Sequence, residues 1–219
     1  MNNSRISIIG DYLHQVGTTL STLPMDTLEH IVELLDYTRQ NGRSVFVFGN
    51  GGSAATASHF ACDLSKGAIV HGEPRLRVAA LTDNAPLFSA WSNDTCYDEA
   101  FSQQLENWLK PGDVAFGISA SGNSANVING IRTARRIRAH TICLTGFDGG
   151  SIRNEVDLCM IVPSHSMEQV EDIHLLLCHI ITTCLRTCNY KPLPIVRYPI
   201  EDMSHTTERS TIVNQVAYL

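Results

Sequence analysis

The 219-residue sequence is 43% hydrophobic and 17% charged, with a formal net charge of -6 and a pI near 5.8. That length holds one large domain with a continuous core, and the balance excludes disordered and fibrous classes. The longest basic run, RTARRIR, reads as the outer face of a helix, so no nucleic-acid partner is expected.

Two helical patterns open the chain, over residues 4–21 and 26–41. In the second, LEHIVELLDYTRQNG spaces its apolar residues three and four apart and ends on Asn41 and Gly42. Five short apolar runs without polar alternation follow, at 44–48, 77–81, 113–118, 140–145 and 158–162, separated by segments of helical length. Strands buried on both faces read this way, which predicts a parallel sheet covered by helices. A long amphipathic helix is expected from Met167 to Cys188, and then an extended tail over 189–219. The amino terminus, MNNSRISIIGDYLHQ, lacks the apolar stretch of a signal peptide, and nothing approaches the roughly 20 apolar residues of a membrane span. A cytoplasmic location and no membrane partner are therefore expected. The seven cysteines, at 62, 96, 143, 159, 178, 184 and 188, lack paired metal or redox spacing and read as reduced, mostly buried thiols.

In open α/β sheets ligands sit beyond the carboxyl ends of the strands. After the run at 44–48 comes GNGGS (Gly49, Asn50, Gly51, Gly52, Ser53), opening a helix. After the run at 113–118 comes SASGNSANV, opening another, with hydroxyls on Ser119, Ser121 and Ser124. Bare amide N–H groups and the positive end of a helix dipole suit an anion, and three hydroxyls suit the oxygens of a phosphate monoester. Such turns also serve as ordinary strand-to-helix links with Ser or Asn caps, but two at equivalent strand ends favour phosphate. Neither GxGxxG nor a P-loop is present.

His59 and Asp63 stand four apart on a predicted helix and so share a face, as an ion pair or as acid/base or metal-binding groups. On the last helix Asp172 lies about 20° from His179 and Glu171 about 80°, so helical geometry by itself selects Asp172. His174 is expected to pack against a neighbour or to orient the site. Trp91 and Tyr97, both in WSNDTCYDEAF, are candidates for a sugar pocket, with core packing the expected use of Trp91.

The segments GNGGSAATASHFACDL, WSNDTCYDEAF, GISASGNSANVINGI, LTGFDGG and VEDIHLLLCHI resemble the sugar isomerase (SIS) family, and within it the phosphoheptose isomerase group. The resemblance implies an α/β fold of the flavodoxin-like three-layer type, with a five-stranded parallel sheet in a single SIS domain over 1–188 that includes the N-terminal helices. It implies a homotetramer with active sites at subunit interfaces. The activity it implies converts sedoheptulose 7-phosphate to D-glycero-D-manno-heptose 7-phosphate, or a close isomer, through an enediol in heptose biosynthesis. Its phosphate-binding positions fall on Asn50, Gly51, Gly52, Ser53, Ser119, Ser121 and Ser124, and a substrate-contacting pair on Asn93 and Asp94. Asp63 and His179 take the catalytic positions, while His59, Asp63, Glu171 and His179 take those of a divalent metal, zinc, one per subunit; no organic cofactor is implied. The chain departs from the family pattern twice, with Asp63 for Glu and Glu171 for Gln. The rival reading is a non-catalytic SIS scaffold or sugar-phosphate sensor resembling the replication-initiator-associating proteins. The tail from 189 is expected to cross onto a neighbouring subunit, because LPIVRYPI would expose apolar surface on a lone chain.

Overall fold

The computed structural model describes residues 4–187. The element order is α1 (Arg5–Leu20), α2 (Met25–Gln40), β1 (Ser44–Gly49), α3 (Gly52–Cys62), β2 (Arg77–Ala80), α4 (Ala85–Asp94), α5 (Ala100–Trp108), β3 (Val114–Ser119), α6 (Ala125–Ile137), β4 (His140–Gly146), β5 (Leu158–Val162) and α7 (Met167–Thr187). All five strands are parallel, in the order β2-β1-β3-β4-β5. The tail expected from 189 and Cys188 lie outside the described residues.

Alternation along the central strands explains their unbroken apolar runs. Val45 and Val47 of β1, Val114, Phe116 and Ile118 of β3, and Ile142 and Leu144 of β4 join one core with Ile31, Leu35, Phe60 and Leu177. Phe46, Phe48, Ala115 and Cys143 point the other way, into a second core with Phe101, Leu105 and Ile131. Each face of the sheet is thus covered: α2, α3 and α7 on one side, α5 and α6 on the other. The three layers are the flavodoxin-like arrangement.

Three details differ from the sequence expectation. β2 is an edge strand and only its last residue, Ala80, is buried, so the apolar run at 77–81 did not signal burial on both faces. Of the six described cysteines, only Cys143 and Cys178 are buried; Cys62 and Cys96 are exposed. Cys62 lies on the outward side of the last turn of α3, and Cys96 in the link after α4. Trp91 is half-buried on α4, a helix with no buried residue, so it is not a core side chain.

The chain leaves β1 for β2 on one side and later places β3 on the other, which makes the β1/β3 crevice the point where strand order reverses. α3 and α6 both begin at the carboxyl ends of these two strands. No described helix is long and apolar enough to cross a membrane.

Candidate active site

The glycine turn and the serine turn meet at that crevice. Gly49 pairs in register with Ile118, bringing residues 50–53 beside residues 119–124. Gly51, the N-cap of α3, sits at φ 54° and ψ -122°, a conformation that a side chain would resist, and offers no side-chain cap. Ser124, the N-cap of α6, makes no side-chain cap bond either; its hydroxyl accepts from Ser119 Oγ at 3.2 Å. The ordinary capping role that Ser residues often serve is therefore absent at both helix starts, and the first amides of α3 and α6 keep their dipole-oriented donors for another partner.

Backbone contacts set the shape of the serine turn. Gly122 has φ 65°, and a Cβ there would overlap the Gly149 carbonyl, so the turns after β3 and β4 touch backbone to backbone. Asn123 Oδ1 accepts from Ser151 N and Oγ at 2.9 Å each, locking that contact. Across the crevice, Asn50 and Asn126 exchange amide hydrogen bonds of 2.8 and 2.9 Å, and Tyr97 OH donates to Asn50 Oδ1 at 2.9 Å. Asn93 and Asp94 bond to each other, 2.9 Å, on the exposed end of α4.

A second cluster forms between α3 and α7. His59 Nε2 lies 3.5 Å and His179 Nε2 3.6 Å from Asp63 Oδ2, and the two imidazole nitrogens are 3.4 Å apart. Both histidine side chains are about half exposed, at 48% and 50%, and Asp63 less so, at 25%. Asp63 ends the α-helical part of its segment: residues 63–67 form a π-helical turn, in which Ala68 N donates to Asp63 O at 2.9 Å. Such widened turns are rare and concentrate at functional sites. No feature of the DLSKG composition announces it.

The triangle fits a metal ion. Tetrahedral coordination at zinc–ligand distances of 2.0–2.2 Å separates neighbouring donor atoms by about 3.4 Å, close to the three separations observed. Two imidazoles and one carboxylate are a borderline-soft donor set appropriate to zinc and similar divalent ions. Among the described residues these three are the one group so arranged.

The other candidates on α7 separate. Asp172, favoured by helical angle, accepts from Tyr12 OH at 2.5 Å and so ties α7 to α1; that bond pushes the Tyr12 hydroxyl up to about 12. Glu171 instead lays its carboxylate against Gly52, where any added Cβ would come within 2.5 Å of it. Eight residues on from Glu171, His179 is about 12 Å further along the helix, so within one chain Glu171 does not join the trio. His174 is wholly buried, with Nε2 3.1 Å from Thr145 O and Nδ1 without a partner among the described residues.

Relatives and solved structures agree with this architecture. Residues 11–146 match the SIS domain family model. The chain belongs to the SIS family. A probable phosphoheptose isomerase of Thermoplasma acidophilum is 39% identical over 170 residues, 78% of this chain and 93% of its own length. The phosphoheptose isomerase of Aliarcobacter butzleri is 38% identical over 178 residues, 80% and 93% of the two chains. The solved phosphoheptose isomerase of Neisseria gonorrhoeae superposes with a TM-score of 0.76 at 31% identity, covering 84% of this chain and 97% of that one. Within the SIS family these likenesses place the chain among the isomerases.

Proposed function

We propose that the chain is an aldose-ketose isomerase acting on sedoheptulose 7-phosphate to give D-glycero-D-manno-heptose 7-phosphate or a close isomer, in heptose biosynthesis. The carrying observation is the convergence of Asp63 and His179 from two helices to 3.6 Å, with His59 beside both. The reaction needs a base to take a proton from C1 and return it at C2, while a second proton moves from O1 to O2 through an enediol. Nothing else is gained or lost. Asp63 and His179 exchange the carbon-bound proton. His59, Asp63 and His179 would hold a divalent ion such as zinc, which would supply Lewis-acid polarisation of the substrate oxygens. The phosphate lies in the paired turns, on the hydroxyls of Ser53, Ser119, Ser121 and Ser124 and the amides following Asn50, Gly51 and Gly52; Asn93 and Asp94 contact sugar hydroxyls.

Distance along α3 supports sharing of the site between copies. His59 and Asp63 lie about 10 and 16 Å from Gly52 at 1.5 Å per residue. An extended seven-carbon phosphate spans roughly 10 Å from C1 to phosphorus. The longer distance at Asp63 favours a phosphate held in the turns of a second copy, whose Glu171 would supply the fourth metal ligand. The surface is suited to such a neighbour. Leu176, one turn before His179, is 39% exposed, and α1 exposes Ile6, Ile8, Ile9 and Leu13. A homotetramer with interfacial sites is the assembly proposed.

Two measurements test the reading. Incubation with sedoheptulose 7-phosphate and zinc in D2O, followed by NMR, should give a new aldose carrying deuterium at C2. Absence of conversion under every divalent metal tried would reject the activity. A Ser119→Ala chain and a His179→Gln chain, each inactive alone, should regain activity when co-assembled; failure of mixed oligomers to turn over substrate would reject shared sites.

A further inference from the structure

We propose that Asn126 is a positioning residue that holds the Asn50 turn at a fixed separation and orientation from the serine turn, and so pre-organises the phosphate cradle. Its effect on phosphate rests on the function proposed above; the clamp itself does not. Asn126 sits in the first turn of α6 and is 1% exposed. A buried amide is costly unless paired, and its partner lies 76 positions away in sequence, on a different βα unit. The pairing is reciprocal: Asn126 Nδ2 donates to Asn50 Oδ1 at 2.9 Å and Asn50 Nδ2 donates to Asn126 Oδ1 at 2.8 Å. Tyr97 OH brings a second donor to Asn50 Oδ1, which uses both lone pairs of that oxygen.

This leaves the orientation of the Asn50 amide determined, with one Nδ2 hydrogen unspent among the described residues. Asn50 also fixes the backbone, since its carbonyl accepts from Ala54 N at 3.2 Å as α3 begins. The strand register that sets the two turns side by side ends at Gly49 and Ile118. Asn126 joins the turns by two hydrogen bonds across the crevice. A leucine of similar volume would fill the space and specify neither distance nor direction.

The test uses the full chain, with inorganic phosphate as the probe in titration calorimetry and amide hydrogen exchange over residues 51–55. Relative to wild type, Asn126→Ala should bind phosphate at least tenfold more weakly and exchange faster over 51–55. Thr133→Val, at another buried polar position on α6, should leave phosphate affinity within twofold. Unchanged phosphate affinity in folded Asn126→Ala overturns the proposal, as does an equal loss in Thr133→Val. If wild type binds no phosphate, the phosphate reading fails, and exchange over 51–55 alone decides: faster supports the clamp, unchanged rejects it. Should Asn126→Ala not fold, Asn126→Asp takes its place, retaining an acceptor for Asn50 Nδ2 but losing the donor to Asn50 Oδ1.

Discussion

Replacing His174 by Phe should remove about 2 kcal/mol of the acid sensitivity of folding between pH 7.5 and pH 5. The ring is wholly enclosed on α7, and burial lowers its pKa from 6.5 to about 4, against the weaker opposing effect of its bond to the Thr145 carbonyl. In the unfolded chain the same ring titrates near its ordinary value. Between the two values the unfolded state carries a proton that the folded state refuses, so stability falls as the pH drops through 6.5 towards 4. Protonation would also place an N–H on Nδ1, which has no acceptor among the described residues. The linkage amounts to about 2 kcal/mol between pH 7.5 and pH 5, out of about 3 kcal/mol over the whole interval. Urea unfolding of wild type and His174→Phe at half-unit pH steps measures it, because other titrating groups cancel in the difference. Phe nearly conserves volume but cannot titrate. A difference curve that stays flat from pH 7.5 to pH 5 would refute the argument that enclosure keeps this imidazole neutral.

Asp63→Asn keeps the side chain's shape and removes its basicity. It should lower kcat for heptose phosphate isomerisation by about 10²–10⁴-fold with little change in melting temperature, and near-normal turnover would exclude Asp63 from the proton transfer. Gly122→Ala combines a left-handed backbone, costing about 1–2 kcal/mol, with a collision at the Gly149 carbonyl. Urea titration should show at least that loss, together with weakened phosphate binding, and wild-type values for both would disprove the packing argument. Ile9→Glu with Leu13→Glu puts two charges on helix positions that are 59% and 65% exposed. Light scattering should find smaller particles that have lost isomerase activity although every catalytic side chain is intact; an unaltered mass would remove α1 from the assembly.

Much of the fold was legible because it follows from short-range pattern. Both N-terminal helices and all five strands fall within about a residue of the spans read from apolar spacing, and the unbroken runs in β1, β3 and β4 reflect side chains entering two cores alternately. β2 misled because an edge strand of four residues has the same composition as a buried one. The candidate site divides along the same line. His59 and Asp63 could be paired from sequence, since four residues on a helix share a face. Angle alone placed neither Glu171 nor Asp172, because Tyr12 ties Asp172 to α1 and Glu171 lies against Gly52. Asn126 looked like an unremarked residue of a helix start because its partner is distant in sequence. The π-helical turn at Asp63 has no compositional signal at all.

Because every strand runs the same way, the phosphate-type turns gather on one rim of the sheet and plain connections on the other. The connections at 41–43, 110–113 and 138–139 all fall at the amino ends of their strands, where Asp113 accepts from Ser44 N and Lys110 N at 2.9 Å and merely closes the structure. Inserted tags, reporter domains or new chain termini belong at those connections, where they leave the glycine and serine turns at the opposite rim untouched.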